Sequence, residues 1–221
     1  MASATPSAIV SSTASASRKE GARGLPGVAV RARVEHGDIV VEDADGRSAV
    51  LTSLGADSQA ELGPDGQTVV FARRRSVDGG EVHDLFIARV TGGAPELLVA
   101  EDPKTEVKGY PLSGLRAPEH SVDGKRVFFL VDNGYHNDAL CSVDRATKVV
   151  SVITSFWDHR QIHEGPLAGH FLVLKSKDGR LSGESQCFVV HATTGEVIRP
   201  ESCQETKALV GEDDVFGVRA Y

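Results

Sequence analysis

The chain has 221 residues, of which 40% are hydrophobic and 25% are charged, and its formal net charge at pH 7 is −7. This length and composition are those of a globular chain with one well-buried domain or a small array of repeats. The negative charge disfavours a nucleic acid or an anionic membrane surface as a partner. No apolar run approaches the roughly 18 residues that span a bilayer, so we expect a soluble chain without a transmembrane helix.

Residues 1–24 are rich in Ala, Ser and Thr, and only Ile9 and Val10 among them are bulky and apolar. Such a composition cannot bury enough apolar surface to fold, which predicts a disordered tail before a repeat domain at residues 25–221. A remnant of an export signal is the alternative. Against it, Arg18 and Lys19 follow the apolar patch, whereas a secretory signal has its positive charge first.

The stretch Ser58–Val99 predicts two hairpins in tandem, one turning at Pro64-Asp65-Gly66 and the other at Thr91-Gly92-Gly93. The unit recurs along the chain at intervals of 42 to 58 residues, close to the roughly 40–50 residues of a propeller blade. Four turn glycines are each followed five residues later by a large apolar residue: Gly66 by Phe71, Gly124 by Phe129, Gly169 by Leu174 and Gly211 by Phe216.

The strand after each of the first three turn glycines is apolar on both faces, at residues 69–71, 127–131 and 171–174. Strands buried on both sides lose their alternation, so these are predicted central strands of sheets that pack face to face. A second hairpin follows each of them, at residues 84–99, 138–153 and 186–199. Two hairpins make a four-stranded blade, and the predicted fold class is therefore all-β, a β-propeller of about four four-stranded blades.

The ends of the chain predict how the ring is completed. Asp38–Thr52 has the pattern of an outer hairpin, whereas Thr206–Val210 and Val215–Tyr221 have that of an inner pair, so together they predict a blade made from both termini. Val28–Val34 is one alternating strand too many for this scheme. It is either a fifth strand or a sign of a partial ring, which another copy or another protein completes.

Two turns bear a family resemblance. Gly63-Pro64-Asp65-Gly66, and after it Ser121-Val122-Asp123-Gly124-Lys125, resemble the WD40-like (PD40) repeat of TolB-like β-propellers. The resemblance implies a periplasmic or cell-surface scaffold that binds a protein or peptide partner at the mouth of the ring. The chain departs from the repeat in two respects. The third copy turns at Leu167-Ala168-Gly169 without the Asp, and the aromatic residue usual four positions before the glycine is replaced by Leu62, His120 and Gly165.

Three glutamates occupy one register, five residues before a turn glycine: Glu61, Glu119 and Glu164. The strand before the turn is the innermost strand of a propeller blade, so these carboxylates predict an acidic ring around the central channel. Crowded carboxylates raise one another's pKa unless a cation neutralises them, and such oxygens suit Ca²⁺ or a partner's Lys or Arg. The alternative is that each glutamate caps backbone amides of the neighbouring blade or points into solvent.

No motif for catalysis is present. The sequence has no Gly-x-Ser-x-Gly elbow, phosphate loop or dinucleotide fingerprint, so no residue is assigned a catalytic role and a non-catalytic scaffold is favoured. Loop 100–117, with Tyr110 exposed among prolines and charges, is a predicted partner contact. Arg73–Arg75 is expected to end a strand before a flexible link, Ser76–Glu81. The alternative function is a small propeller enzyme, hydrolase- or lactonase-like, that uses Ca²⁺ or carboxylates in the channel.

The chain has three cysteines. Cys187 and Cys203 flank one outer hairpin, so they are either a disulfide, which fits an oxidising compartment, or two half-buried thiols of a cytosolic protein. Cys141 lies among apolar strand residues and is a predicted core residue.

Overall fold

The computed structural model describes residues 24–132, 138–156, 158–162, 167–176, 185–191 and 196–198. Within these ranges every regular element is a β-strand, and no helix is present that could cross a membrane. The strands form one three-stranded sheet, three four-stranded sheets and one separate hairpin, all antiparallel. The predicted tail up to residue 23 and the fourth turn glycine, Gly211, lie outside the described residues.

Sheet 1 has the strand order β1-β2-β3. Its strands are β1 (Arg31–Glu35), β2 (Asp38–Glu42) and β3 (Ser48–Val50). The turn His36-Gly37 joins β1 to β2, and both residues have positive φ, 53° and 81°, as a two-residue type I′ turn requires. The surplus strand predicted at Val28–Val34 is thus the first strand of this sheet.

The predicted pairing of the N-terminal hairpin is wrong. Strand β1 pairs with β2 from Arg31 opposite Glu42 to Glu35 opposite Asp38, so it occupies the edge at which an inner pair from the C-terminus was expected. A two-residue turn needs no linker, and the local hairpin β1-β2 therefore forms without a distant partner. The C-terminal segments from residue 206 onward lie outside the described residues.

Sheet 2 confirms the two predicted tandem hairpins, with the order β4-β5-β6-β7. Its strands are β4 (Asp57–Leu62), β5 (Thr68–Val77), β6 (Gly80–Arg89) and β7 (Glu96–Val99). The expected flexible link is wrong, because Ser76 pairs with Glu81 and Val77 with Gly80 around a two-residue turn. These ends of β5 and β6 extend beyond β4 and β7 and are exposed except for Val82, so they carry no apolar pattern.

A small hairpin follows sheet 2. It consists of β8 (Asp102–Val107) and β9 (Tyr110–Leu112), joined by Lys108-Gly109 with φ of 50° and 81°. The stretch predicted as a loop at residues 100–117 therefore contains a two-stranded sheet. The first five residues of β8 are exposed, which explains why no apolar pattern marked this strand.

Sheets 3 and 4 repeat the order of sheet 2. Sheet 3 comprises β10 (Arg116–His120), β11 (Arg126–Asp132), β12 (Asp138–Asp144) and β13 (Val150–Phe156). Sheet 4 comprises β14 (Asp158–Gln161), β15 (Phe171–Ser176), β16 (Ser185–Val190) and β17 (Val197–Ile198). The second hairpins predicted in each repeat are confirmed as β6-β7, β12-β13 and β16-β17.

Three apolar clusters lie between successive sheets, so the sheets stack face to face as propeller blades do. The second strand of a sheet contributes side chains to the clusters on both of its faces. In β5, Val69 and Phe71 pack toward sheet 1, whereas Val70 and Ala72 pack toward sheet 3. This confirms that these strands are central and buried on both faces. The fold is an all-β stack of propeller blades, and no described strand joins sheet 4 to sheet 1.

The segment before β1, residues 25–30, lies on the turns of sheet 2. The Leu25 N–H donates to the Val90 carbonyl and the Ala29 N–H to the Gly66 carbonyl, both at 2.9 Å. Leu25 and Ala29 are each only 4% exposed and belong to the cluster between sheets 1 and 2. The N-terminal segment therefore joins the first two sheets.

Candidate functional site

The innermost strands β4 and β10 share an irregularity that the turn motif does not reveal. Each has a β-bulge, between Ser58 and Glu61 in β4 and between Arg116 and Glu119 in β10. The first residue of each bulge has positive φ, 54° at Gln59 and 48° at Ala117. The repeat thus extends to the backbone of the innermost strand, where the bulge takes main-chain groups out of the ladder.

Side chains of β4 bind the main-chain amides of β10. The Ala117 N–H donates to Gln59 Oε1 at 2.7 Å, and the His120 N–H donates to Glu61 Oε2 at 3.1 Å. Amides of a bulged inner strand need such partners because a buried N–H without an acceptor is costly. Glu61 therefore caps a backbone amide of the neighbouring blade.

The environment of Glu61 favours its protonated form. The pKa of Glu61 is raised to about 8, first by burial and then by the nearby charge of Glu119, while the hydrogen bond from the His120 amide opposes both effects. The structure therefore brings two of the predicted glutamates close enough for their charges to interact. At neutral pH Glu61 holds a proton on its carboxyl group.

His120 lies beside these carboxyl groups and is 4% exposed. Its ring nitrogens have no hydrogen-bond partner among the residues that the structure describes. Burial lowers the pKa of His120 to about 4, and the Arg145 charge lowers it too, against the opposing effect of Asp65. The imidazole is therefore neutral at pH 7. The only sequence signal for this residue was its place at an aromatic position of the repeat.

Strand pairing assigns Arg160 to the register that Glu61 and Glu119 occupy. Glu61 lies opposite Val70, Glu119 opposite Phe128 and Arg160 opposite Leu172, each two positions beyond the equivalent turn contact. Counting back from the turn glycine pointed to Glu164 because the connection after β14 is longer than its equivalents. Glu164 lies outside the described residues, so its place in a site stays a prediction.

No metal centre is formed in the part of the chain that the structure describes: it contains no group of three or more His, Cys, Asp or Glu side chains placed to hold an ion. The two neighbouring carboxyl groups of Glu61 and Glu119 offer acid, base or cation-binding chemistry. One Glu61 oxygen is already engaged by a backbone amide. The arrangement thus serves contact between blades.

The remaining predicted residues lie apart from this cluster. Tyr110 is half-buried on β9 and packs against the core between sheets 2 and 3 instead of standing exposed. Cys187 is buried on β16, whereas Cys203 lies outside the described residues, so their disulfide stays a prediction. Cys141 is fully buried, and burial raises the pKa of its thiol to about 12, which confirms it as a core residue.

Glu101 forms hydrogen bonds to backbone amides at the bases of two hairpins, β5-β6 and β8-β9. The sequence analysis did not single out this residue. Its Oε2 accepts the His83 N–H of β6 at 2.5 Å, and its Oε1 accepts the Gly114 N–H after β9 at 2.7 Å. Its own amide donates to Asp84 Oδ1 at 2.9 Å, and Asp84 in turn holds the guanidinium of Arg75. One buried carboxylate thus fixes the bases of the hairpins β5-β6 and β8-β9.

Comparison with known proteins gives a likeness of fold. No protein-family model and no curated protein matches the chain. TolB from Acinetobacter baumannii is 20% identical, with a TM-score of 0.49, and covers 73% of this chain and 37% of that chain. A putative TolB from Agrobacterium tumefaciens is 16% identical, with a TM-score of 0.48, over 76% of this chain and 56% of that chain.

The β-propeller domain of the Trilobed protease from Pyrococcus furiosus is a third similar structure. It is 16% identical, with a TM-score of 0.45, over 66% of this chain and 43% of that chain. Solved TolB-like propellers resemble the chain. These scores carry no argument about activity, and the blade architecture rests on the strand pairing and stacked cores. The chain spans 37% to 56% of the length of these three structures.

Proposed function

We propose that the chain is a non-catalytic propeller scaffold that binds a protein or peptide partner at the blade face carrying the hairpins β5-β6 and β8-β9. The observation that supports this is the fastening by Glu101, which holds both hairpins by backbone amides at their bases. Projecting loops on a rigid scaffold are a common basis of recognition. The inner-strand residues Gln59 and Glu61 serve contacts between blades instead.

The chemistry of the hairpins suits an extended peptide. The Arg74 N–H donates to the Ala56 carbonyl at 2.9 Å, and beyond Arg74 strand β5 has no partner on the β4 side, so the main-chain groups there form a free edge. A partner strand can pair with such an edge, a recognition mode in which side chains add specificity. The exposed residues there include Arg74, Glu81 and the 37% exposed Val77. Mixed charges around an apolar residue favour a protein surface as the partner.

The test is capture of a partner by the full chain, from an extract of its source organism, with matched variants. We expect a stoichiometric protein on the wild-type bait, and its loss from Val77→Asp, because the charge removes the apolar contact. Val50→Asp is the control, since Val50 is 46% exposed on sheet 1, away from the hairpins. Retention that is equal on both variants would exclude this face as the binding surface.

The second candidate function is that of a small propeller enzyme, hydrolase- or lactonase-like, which uses Ca²⁺ or a carboxylate as its catalytic group. The raised pKa of Glu61 beside Glu119 favours it. A calcium titration of the melting temperature tests it: the enzyme proposal expects stabilisation that disappears in the Glu61→Gln, Glu119→Gln double variant. Stabilisation that survives in that variant would remove both glutamates as ligands.

A further inference from the structure

We propose that the chain binds a phosphate or carboxylate group of a small molecule in a cleft between sheets 2 and 3, at the end opposite the projecting hairpins. This turn-end cleft has a volume of about 360 Å³. Its lining comes from the start of β5, the end of β6, the turn after β6, the start of β7 and the turn after β12, and includes Thr68, Arg89, Gly92, Gly93, Glu96 and Arg145.

Two arginines give the cleft its chemistry. Arg145 uses one nitrogen, Nη1, to bind the Gly124 carbonyl at 2.5 Å. In the described part of the chain no carboxylate lies within ion-pair distance of Arg145 or Arg89. The single carboxylate of the lining, Glu96, is engaged by Lys148 Nζ at 2.5 Å. Guanidinium groups present paired donors that match the oxygens of phosphate and carboxylate.

Thr68 forms part of the cleft wall and is 8% exposed. Its Oγ1 is itself buried, without a hydrogen-bond partner within the described ranges, and is therefore not available to a ligand in the cleft. The proposed contacts to an anion come from the two arginines alone.

The cleft has free space beside Gly93. Gly93 has a φ of 107°, and a Cβ built there would meet nothing within 4 Å. The volume of about 360 Å³ lies at the small end of the range typical of small-molecule sites. A cationic cleft in a chain of net charge −7 selects a compact anion over a polyanion, which the surrounding negative surface would repel.

The test is calorimetric titration of the full chain with inorganic phosphate and with succinate, at millimolar concentrations and constant ionic strength. We expect saturable binding of one or both, weakened about tenfold or more by Arg89→Gln, because one charge-assisted contact is lost. Arg89 makes no described side-chain contact, so this variant should fold as the wild type does. Arg31→Gln, on an exposed arginine of β1, is the matched control and should bind normally.

The two ligands distinguish the source of the group. Binding of phosphate alone assigns the cleft to a phosphate group, and binding of succinate alone assigns it to a carboxylate. Phosphate also stabilises folded proteins in general, because it is excluded from their surface. That general effect would be the same in Arg89→Gln and Arg31→Gln, so only specific binding can differ between these two variants. Absence of saturable binding, or equal affinity in Arg89→Gln and Arg31→Gln, would overturn the proposal.

Discussion

Glu61 and His120 are neighbours whose pKa values shift in opposite directions. The pKa of Glu61 rises from 4.5 to about 8, so the folded chain keeps a proton that the unfolded chain loses between these values. Glu61 therefore contributes stability that is complete below pH 4.5 and is lost as the pH rises through about 8. The pKa of His120 falls from 6.5 to about 4, so its contribution is complete above pH 6.5 and is lost as the pH falls through about 4.

Replacement of Glu61 by Gln tests whether protonation of Glu61 makes the stability of the fold depend on pH. The amide keeps an oxygen for the His120 N–H but does not titrate, so we expect Glu61→Gln to lose less stability than the wild type between pH 4.5 and 8. Urea unfolding across this range measures the difference. Glu106→Gln, on the exposed strand β8, should follow the wild-type curve. Parallel curves for Glu61→Gln and the wild type would show that Glu61 is ionised in the fold.

Asp57 and Arg73 form a buried ion pair across β4 and β5. Their side chains are 0% and 11% exposed, the two bonds measure 2.6 and 3.0 Å, and the guanidinium carbon lies 5.4 and 4.8 Å from the ring centroids of Phe71 and Phe86. Asp57→Asn removes the negative charge beside a buried guanidinium. We expect a loss of about 3 kcal/mol in the free energy of unfolding.

Urea unfolding of a surface pair provides the comparison. Asp45 and Arg47 form an exposed ion pair at 2.9 Å, so Asp45→Asn should cost less than about 1 kcal/mol. An equal loss in the free energy of unfolding for Asp57→Asn and Asp45→Asn would show that burial does not increase the contribution of the Asp57 charge to stability.

At the scale of an element, the first two repeats offer a matched pair of turns. Gly66 and Gly124 have φ of 65° and 66°, yet a Cβ on Gly66 would lie 2.5 Å from the Ala29 carbonyl oxygen, whereas on Gly124 its nearest neighbour would be 3.8 Å away. Gly124→Ala should cost about 1–2 kcal/mol from positive φ alone. Gly66→Ala should cost more, because the N-terminal segment must also move.

Thermal unfolding of the two glycine variants measures the difference in stability. Hydrogen exchange at the Ala29 amide gives a second readout, which should speed up only in Gly66→Ala since this amide binds the Gly66 carbonyl. Equal stability losses together with unchanged exchange at Ala29 would contradict the contact between the N-terminal segment and the turn.

The central strands β5, β11 and β15 were predicted from unbroken apolar runs, because burial on both faces removes polar residues from them. The projecting ends of β5 and β6 and the whole of β8 were missed since exposure leaves no apolar pattern. The register of the acidic residues was predicted for Glu61 and Glu119, but it failed at Arg160, where the length of a connection changed. The capping by Glu61 and Glu101 depends on how sheets and hairpins lie together, which no local pattern encodes.

The whole molecule is a stack in which three apolar clusters join neighbouring sheets, whereas a fourth cluster, at Ile162, Leu172, Cys187 and Val189, is formed by sheet 4 and its connection alone. Stability in such stacks is approximately a sum over neighbouring units. The outer face of sheet 1 differs from these interfaces: Arg33 shares a face with Val40 and binds Glu35 and Glu42 at 2.6 and 3.0 Å. Ion pairs of this kind suit a face in water and not a further apolar blade contact.

The hydrogen bonds of Leu25 and Ala29 also bear on the order of events during synthesis. These two residues are translated before their acceptors at Val90 and Gly66. Residues 25–30 therefore cannot dock until the hairpins of sheet 2 have been translated, so they wait for residues that lie up to 65 positions later in the chain.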